Sequence, residues 1–206
     1  MTIETVSKPN LYAVKYGGDK ENIYRCILKD FRNQQYTGNY FSHFTDRISD
    51  WVVDTYGYDK TETDLYMYLV QQQSYDIETR IRDCCYDFTA GRGRSLDDIF
   101  IPYDNNETRH NHTGKYLRLK CYGTKDSLIR IYALEIEPNC DLIIYGAIKI
   151  TKRTQDSPAF DRKGNDSTVH DELEKRVKSV SRFLESEGIV DYPGLTQYME
   201  EDHEEE

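Results

Sequence analysis

The spacing of apolar residues changes period several times along this chain, and each change marks an element. The stretch LYAVKYGG (residues 11–18) alternates weakly, is rich in β-favouring residues and ends in a glycine pair, which predicts a strand. After it, Ile23, Ile27 and Phe31 recur at helical spacing. Phe41, Phe44, Ile48 and Val52 do the same, with Gly38 and Gly57 as punctuation. Leu65, Leu69, Ile77, Ile81, Cys84 and Phe88 predict a third, longer helix with Thr63 as its opening cap. Three helices thus account for residues 20–89. Gly, Pro and Asn then break the period over AGRGRSLDDIFIPYDNNETRHNHTG (residues 90–114), a long connection of the kind that often carries function.

Three β signals follow at residues 115–122, 128–137 and 141–151. The turns between them, GTKD and PN, are short enough to make the three strands an antiparallel meander. Val169, Leu173, Val177, Val180 and Leu184 form the stripe of a final helix, with Thr168 and Asp171 as a capping pair and Gly188 as the stop. The acidic end, residues 196–206, lacks apolar anchors in EEDHEEE and is expected to be disordered. The order implies one α+β domain over residues 1–195, with an antiparallel sheet (the N-terminal strand plus the meander) packed with helices. Residues 36–114 read as a helical insertion and loop, and residues 115–158 as a basic strand meander.

Composition narrows the setting. No apolar run approaches the ~18 residues of a membrane helix, and the first eight residues hold no apolar signal core. The expected localisation is therefore cytoplasmic, with no membrane partner. Five cysteines at irregular spacing, without a C-x-x-C pair, predict reduced thiols; Cys84 and Cys85 fall on a helix pattern and suit core packing. The net charge of −10 excludes a generally basic nucleic-acid binder. Residues 115–153 stand apart, with eight Lys and Arg against four Asp and Glu.

Strand alternation gives this basic island a geometry. Arg118 and Lys120 share one face of their strand, opposite Leu117, Leu119 and Cys121. Arg130 and Lys149 fall on corresponding faces of the next two strands, and Lys152 and Arg153 follow at the edge. Cations packed this way favour an anion between them, so a phosphate backbone is one partner and a solvated sheet face is the alternative. A second basic spot, GRGR (residues 91–94), offers Arg92, Arg94 and backbone N–H groups to phosphate. It lacks the strand–helix setting of a P-loop, and a flexible surface turn is the other reading. His110 and His112 could share a strand face, yet no carboxylate or thiol has matching spacing nearby, so no metal site is assigned.

The segment KYLRLKCYGTKDSLIRIYALEIEPNCDLIIYGAIKITKRTQDSP (residues 115–158) resembles the RelE/HigB/ParE superfamily of type II toxins. LRLK and IRIY stand where that family has its paired arginine-bearing strands, and KRTQDSP stands where it has a K-K-T-Q-x-x-P-like segment. The resemblance implies a RelE-like fold. It also implies a toxin-like endoribonuclease (an mRNA interferase) of a toxin–antitoxin system, cleaving RNA without a metal or other cofactor. The product would be a 2′,3′-cyclic phosphate or 3′-phosphate, and the partners RNA or the ribosome and an antitoxin protein. By this resemblance Arg118 and Lys120 bind RNA, with Arg92 and Arg94 as further RNA-binding candidates from the sequence. Arg130 contacts the scissile phosphate, and Lys149, Lys152 and Arg153 complete the catalytic set. His170 and Tyr192 are counterparts for a general acid or base. A reading of another class is a non-catalytic protein-interaction module on the same scaffold, working through the helical insertion and the acidic tail.

Overall fold

The computed structural model describes residues 1–201 apart from 109, 112, 113, 125 and 161–165. Six strands form its central sheet: β1 (Thr2–Ser7), β2 (Leu11–Lys15), β3 (Phe100–Pro102), β4 (Leu117–Cys121), β5 (Ile129–Glu137) and β6 (Cys140–Ile148). Their order across the sheet is β1-β2-β6-β5-β4-β3. The class is α+β as expected, and β4-β5-β6 is an antiparallel meander. The N-terminal strand β2 joins the same sheet, but parallel to β6, pairing Leu11–Ala13 with Asp141–Ile143. The sheet is therefore mixed, which corrects the all-antiparallel expectation. The reason is the connection: more than a hundred residues separate β2 from β6, so no hairpin dictates their direction. Strands β1 and β3 lie at the two edges and do not register as strands in the sequence: β1 has only Ile3 and Val6 as apolar residues, and β3 is three residues long.

Both faces of the sheet are covered. On one face lie α1 (Ile23–Arg32), α2 (Gln34–His43), α3 (Asp50–Tyr56) and α4 (Thr63–Thr89), four helices where the periodicity predicts three. Asn22 and Asn33 cap α1 and α2 by accepting from the backbone N–H groups of Arg25 and Tyr36. Gly57, at φ 72°, ends α3 in the left-handed conformation that glycine adopts without strain. The stripe Tyr24, Ile27, Leu28 and Phe31 of α1 joins Phe41, Ile48, Val52, Val70 and Ile77 over the β5 residues Ile129, Ile131 and Ala133. Helices of the segment 36–114 thus share the main core with the sheet.

The other face is covered by α5 (Val169–Ser186) and α6 (Tyr192–Glu201), which pack Leu173, Val180, Leu184 and Leu195 over Leu134, Leu142 and Ile144. Thr168 and Asp171 form the capping box of α5, and Gly188 at φ 70° follows its end. A small hairpin, β7 (Pro158–Phe160) with β8 (Asp166–Thr168), leads from the sheet into α5. The acidic end expected to be disordered from residue 196 is helical through Glu201, because Leu195 is fully buried and anchors α6. Residues 202–206 lie outside the described residues. No helix among the described residues is long and apolar enough to cross a membrane.

Candidate functional site

The burial of β4 alternates as its sequence does: Leu117, Leu119 and Cys121 are buried on the helix-rich face, while Arg118 and Lys120 are half-buried on the other. In the register, Lys120 lies opposite Tyr132, and Arg130 lies opposite Ala147. The Lys149 backbone N–H donates to the Leu128 carbonyl at 2.6 Å, so Lys149 flanks Arg130 in the ladder. Strand geometry therefore brings Lys120, Arg130 and Lys149 to one end of the sheet, where the Lys149 side chain reaches round to Trp51 of α3 on the helix-rich side. The face bearing Lys120 and Arg130 is not an open basic surface, however, because α5 and α6 cover the part of it towards the β5–β6 hairpin.

Each cation has a distinct environment. Arg130 is 5% exposed; its guanidinium donates to the carbonyls of Ser127 (2.5 Å) and Ile129 (2.7 Å) and lies 4.6 Å from the Tyr122 ring centroid. It is turned inward rather than presented to a phosphate. Burial pushes its pKa down, yet a guanidinium keeps its charge at any ordinary pH. Lys120 donates to the Tyr103 carbonyl (2.8 Å) and to Asn105 Oδ1 (3.2 Å). Its pKa is lowered by burial first and by Arg130 second.

Lys149 is 7% exposed, with Nζ 4.1 Å from the Trp51 ring centroid. Among the described residues no acceptor lies within hydrogen-bond distance of this amine. Burial, then the field of Arg130, brings its pKa down to about 8; Asp126 opposes the shift and Lys120 adds to it. An amine with a pKa near 8 exchanges its proton readily at neutral pH, which an ordinary lysine does not.

The surrounding scaffold holds this end of the sheet still. Gln73 of α4 accepts from the Ser127 hydroxyl (3.0 Å) and the Leu128 N–H (2.7 Å), and its amide donates to the Tyr56 hydroxyl. Tyr56 in turn donates to the Asp126 carbonyl. Beyond β6, the fully buried Ser157 hydroxyl accepts from the N–H groups of Ile150 and Thr151, both at 3.2 Å. This pins the segment carrying Lys152 and Arg153, which are exposed. Next to Lys120, Tyr103 stacks on His170 with an interplanar angle of 7°, and its hydroxyl meets His170 Nδ1 at 3.1 Å.

The other sequence candidates fall elsewhere. Arg118 is paired with Glu174 of α5 (2.5 Å) and with the buried Glu107 (3.4 Å), so its charge is already matched. Arg92 and Arg94 lie 3.7 and 3.8 Å from Asp87 at the end of α4. The following loop is tied to the β5–β6 hairpin by the Asn139 N–H donating to Asp97. That is the opposite end of β5 from Arg130, seven residues along the strand and about 23 Å away at the rise of a strand. Tyr192 lines a small cleft with Tyr12, away from the cationic end. His110 is exposed and His112 lies outside the described residues. Residues missed in the sequence are Trp51, Tyr103 and Tyr122. The one signal for them was that Trp51 is the single tryptophan of a tyrosine-rich chain. No protein-family model, curated protein or solved structure matches this chain.

Proposed function

We propose that the end of the sheet bearing Lys120, Arg130 and Lys149 binds a phosphodiester of single-stranded RNA and cleaves it, as the resemblance to the RelE-like toxins implies. The carrying observation is Lys149: an amine seated on Trp51, beside two further cations, with its pKa brought down to about 8. In its neutral form it accepts the proton of a ribose 2′-OH, which attacks the adjacent phosphorus and expels the 5′-oxygen, leaving a 2′,3′-cyclic phosphate. Lys152 and Arg153, exposed just beyond the strand, and the half-buried Lys120 offset the charge on the phosphate oxygens. Arg130 acts through Lys149, by lowering its pKa, rather than by touching substrate. Trp51 and Tyr122 supply faces on which a base stacks.

The test is an end-labelled single-stranded RNA incubated with wild type and with Lys149→Met. Wild type should yield fragments ending in cyclic phosphate, and Lys149→Met should lose at least about a hundredfold in rate, the usual span of a general base. Intact RNA with wild type, or equal cleavage by the variant, overturns the proposal. One observation favours the non-catalytic reading: Tyr68, Tyr75 and Tyr86 on α4 are 59%, 52% and 60% exposed, a row of aromatic rings suited to a protein partner. That reading gains if intact RNA coincides with a partner bound through these three residues.

A further inference from the structure

Helix α4 is exposed along one side, and that side is not simply polar. The inner stripe of Tyr66, Val70, Ile77 and Ile81 is buried, as a helix packed on a sheet requires. Of the six exposed large apolar side chains among the described residues, five belong to this same helix: Leu65, Tyr68, Tyr75, Tyr86 and Phe88. From Leu65 an outer stripe runs at alternating intervals of three and four residues, through Tyr68, Gln72, Tyr75, Thr79 and Arg82 to Tyr86, and every one of these is exposed. That is the heptad spacing by which one helix meets another along a seam. The seam is about 32 Å long at the rise of a helix.

Two features fit this stripe to another copy of itself. The first is its charge. Residues 63–78 hold Asp64, Asp76 and Glu78 and no Lys or Arg, whereas residues 79–94 hold Arg80, Arg82, Arg92 and Arg94 against Asp83 and Asp87. Arg32 of α1 matches Glu78, and Asp64 and Asp76 keep the first half acidic. Two copies running antiparallel set opposite charges together, whereas parallel copies set like on like.

The second feature is the order of the side chains, which is self-complementary about Tyr75. With a two-fold axis there, Leu65 meets Tyr86 of the partner subunit, Tyr68 meets Arg82 of the partner subunit, and Gln72 meets Thr79 of the partner subunit. These are apolar group on ring, guanidinium on ring and amide on hydroxyl. Guanidinium–ring contacts already occur on this helix, with Arg32 4.0 Å from the Tyr75 ring centroid and Arg92 5.0 Å from that of Tyr86. Tyr68 has no such cation among the described residues, and a second copy supplies one.

We propose that α4 is a self-association face, on which two copies of this chain pair antiparallel about Tyr75. The seam is at the small end of interface sizes, so the dimer forms in the micromolar range. The pairing makes no use of Lys149, so it stands or falls apart from the RNA reading.

Sedimentation equilibrium of the full chain, loaded from about 1 to 300 µM, reads the association directly. A reversible monomer–dimer equilibrium is expected, weakening as salt rises. Tyr75→Arg sets two guanidinium groups on the axis and should leave monomer alone. Tyr68→Arg sets a cation against Arg82 of the partner subunit and should weaken association at least about tenfold. Adding Arg82→Tyr exchanges the roles of the two positions and should bring the affinity back to within about threefold of wild type. All three positions are exposed, and an unchanged thermal midpoint establishes that the variants are folded. Lys149→Met should dimerise as wild type does. A monomer throughout, which leaves the face to a different protein, overturns the proposal. So does a dimer that survives Tyr75→Arg, or a double variant as weak as Tyr68→Arg alone.

Discussion

Replacing Lys149 by Met keeps the length of the side chain and removes its charge, and the consequence for stability has a definite sign. In the folded chain the pKa falls from the ordinary 10.5 to about 8, with burial as the main cause. A displacement of that size corresponds to about 3 kcal/mol between the protonated and neutral folded states. The Trp51 face returns about 1 kcal/mol to the ammonium, and screening at the strand end makes about 2 kcal/mol the working figure. Below pH 8 both folded and unfolded chains hold the proton, so the cost is fully present. Between pH 8 and 10.5 the folded chain releases the proton while the unfolded chain keeps it, and stability rises with pH relative to the variant.

Lys149→Met should therefore be more stable than wild type by about 2 kcal/mol at pH 7, and the gap should fall below half by pH 9.5. Tyrosines and buried thiols also titrate in this range, but they are common to both proteins and cancel in the difference. Urea denaturation followed by far-ultraviolet circular dichroism at pH 7.0, 8.0, 9.0 and 9.5 supplies the curve. A gap that does not change with pH, or a variant less stable than wild type at pH 7, refutes the reasoning.

A Cβ added at Gly146 would lie 2.6 Å from Ile27 Cγ2, so Gly146→Ala should cost about 1–3 kcal/mol. The urea midpoint reads that loss, and Ile27→Val in the same chain should recover part of it. Thr168→Ala removes the hydroxyl that accepts from the Asp171 N–H at 3.1 Å and should cost about 1 kcal/mol. Faster amide exchange confined to the first turn of α5 is the accompanying sign, and an unchanged exchange rate there counts against the cap. Burial pushes the Cys140 pKa from its ordinary 9.0 up to about 12. The folded chain thus keeps a proton that the unfolded chain loses, and stability falls as pH rises above 9. The decline should be shallower in Cys140→Ala, and parallel curves for the two proteins contradict the assignment.

The elements legible in the sequence are those whose burial is one-sided and periodic. The long helix α4, the meander and α5 with its Thr168 cap all emerge with ends close to those observed. Strand β1 escaped because Ile3 is its one buried residue, and an edge strand needs no more. The parallel pairing of β2 with β6 leaves no local trace, since it joins segments whose contact is made only in the folded sheet. At the candidate site, alternation brought Lys120, Arg130 and Lys149 together. It could not tell that Arg130 turns to the Ser127 and Ile129 carbonyls, or that Arg118 meets Glu174 from a helix more than fifty residues away. The seat of Lys149 on Trp51 was equally out of reach, because nearly a hundred residues separate the two.

The most direct test of the central claim uses the chain's one tryptophan. Trp51 lies 4.1 Å from the Lys149 amine, so its emission reports on whatever occupies the cationic end of the sheet. Single-stranded RNA of ten nucleotides, with the 2′-hydroxyls methylated to block cleavage, should change that emission saturably. Affinity should fall as salt rises, because each phosphate contact releases a counterion. In the chain carrying Lys149→Met, Lys152→Ala and Arg153→Ala the response should disappear. An emission that ignores RNA in wild type, or a response that survives in the triple variant, contradicts the assignment of this site to an RNA phosphate.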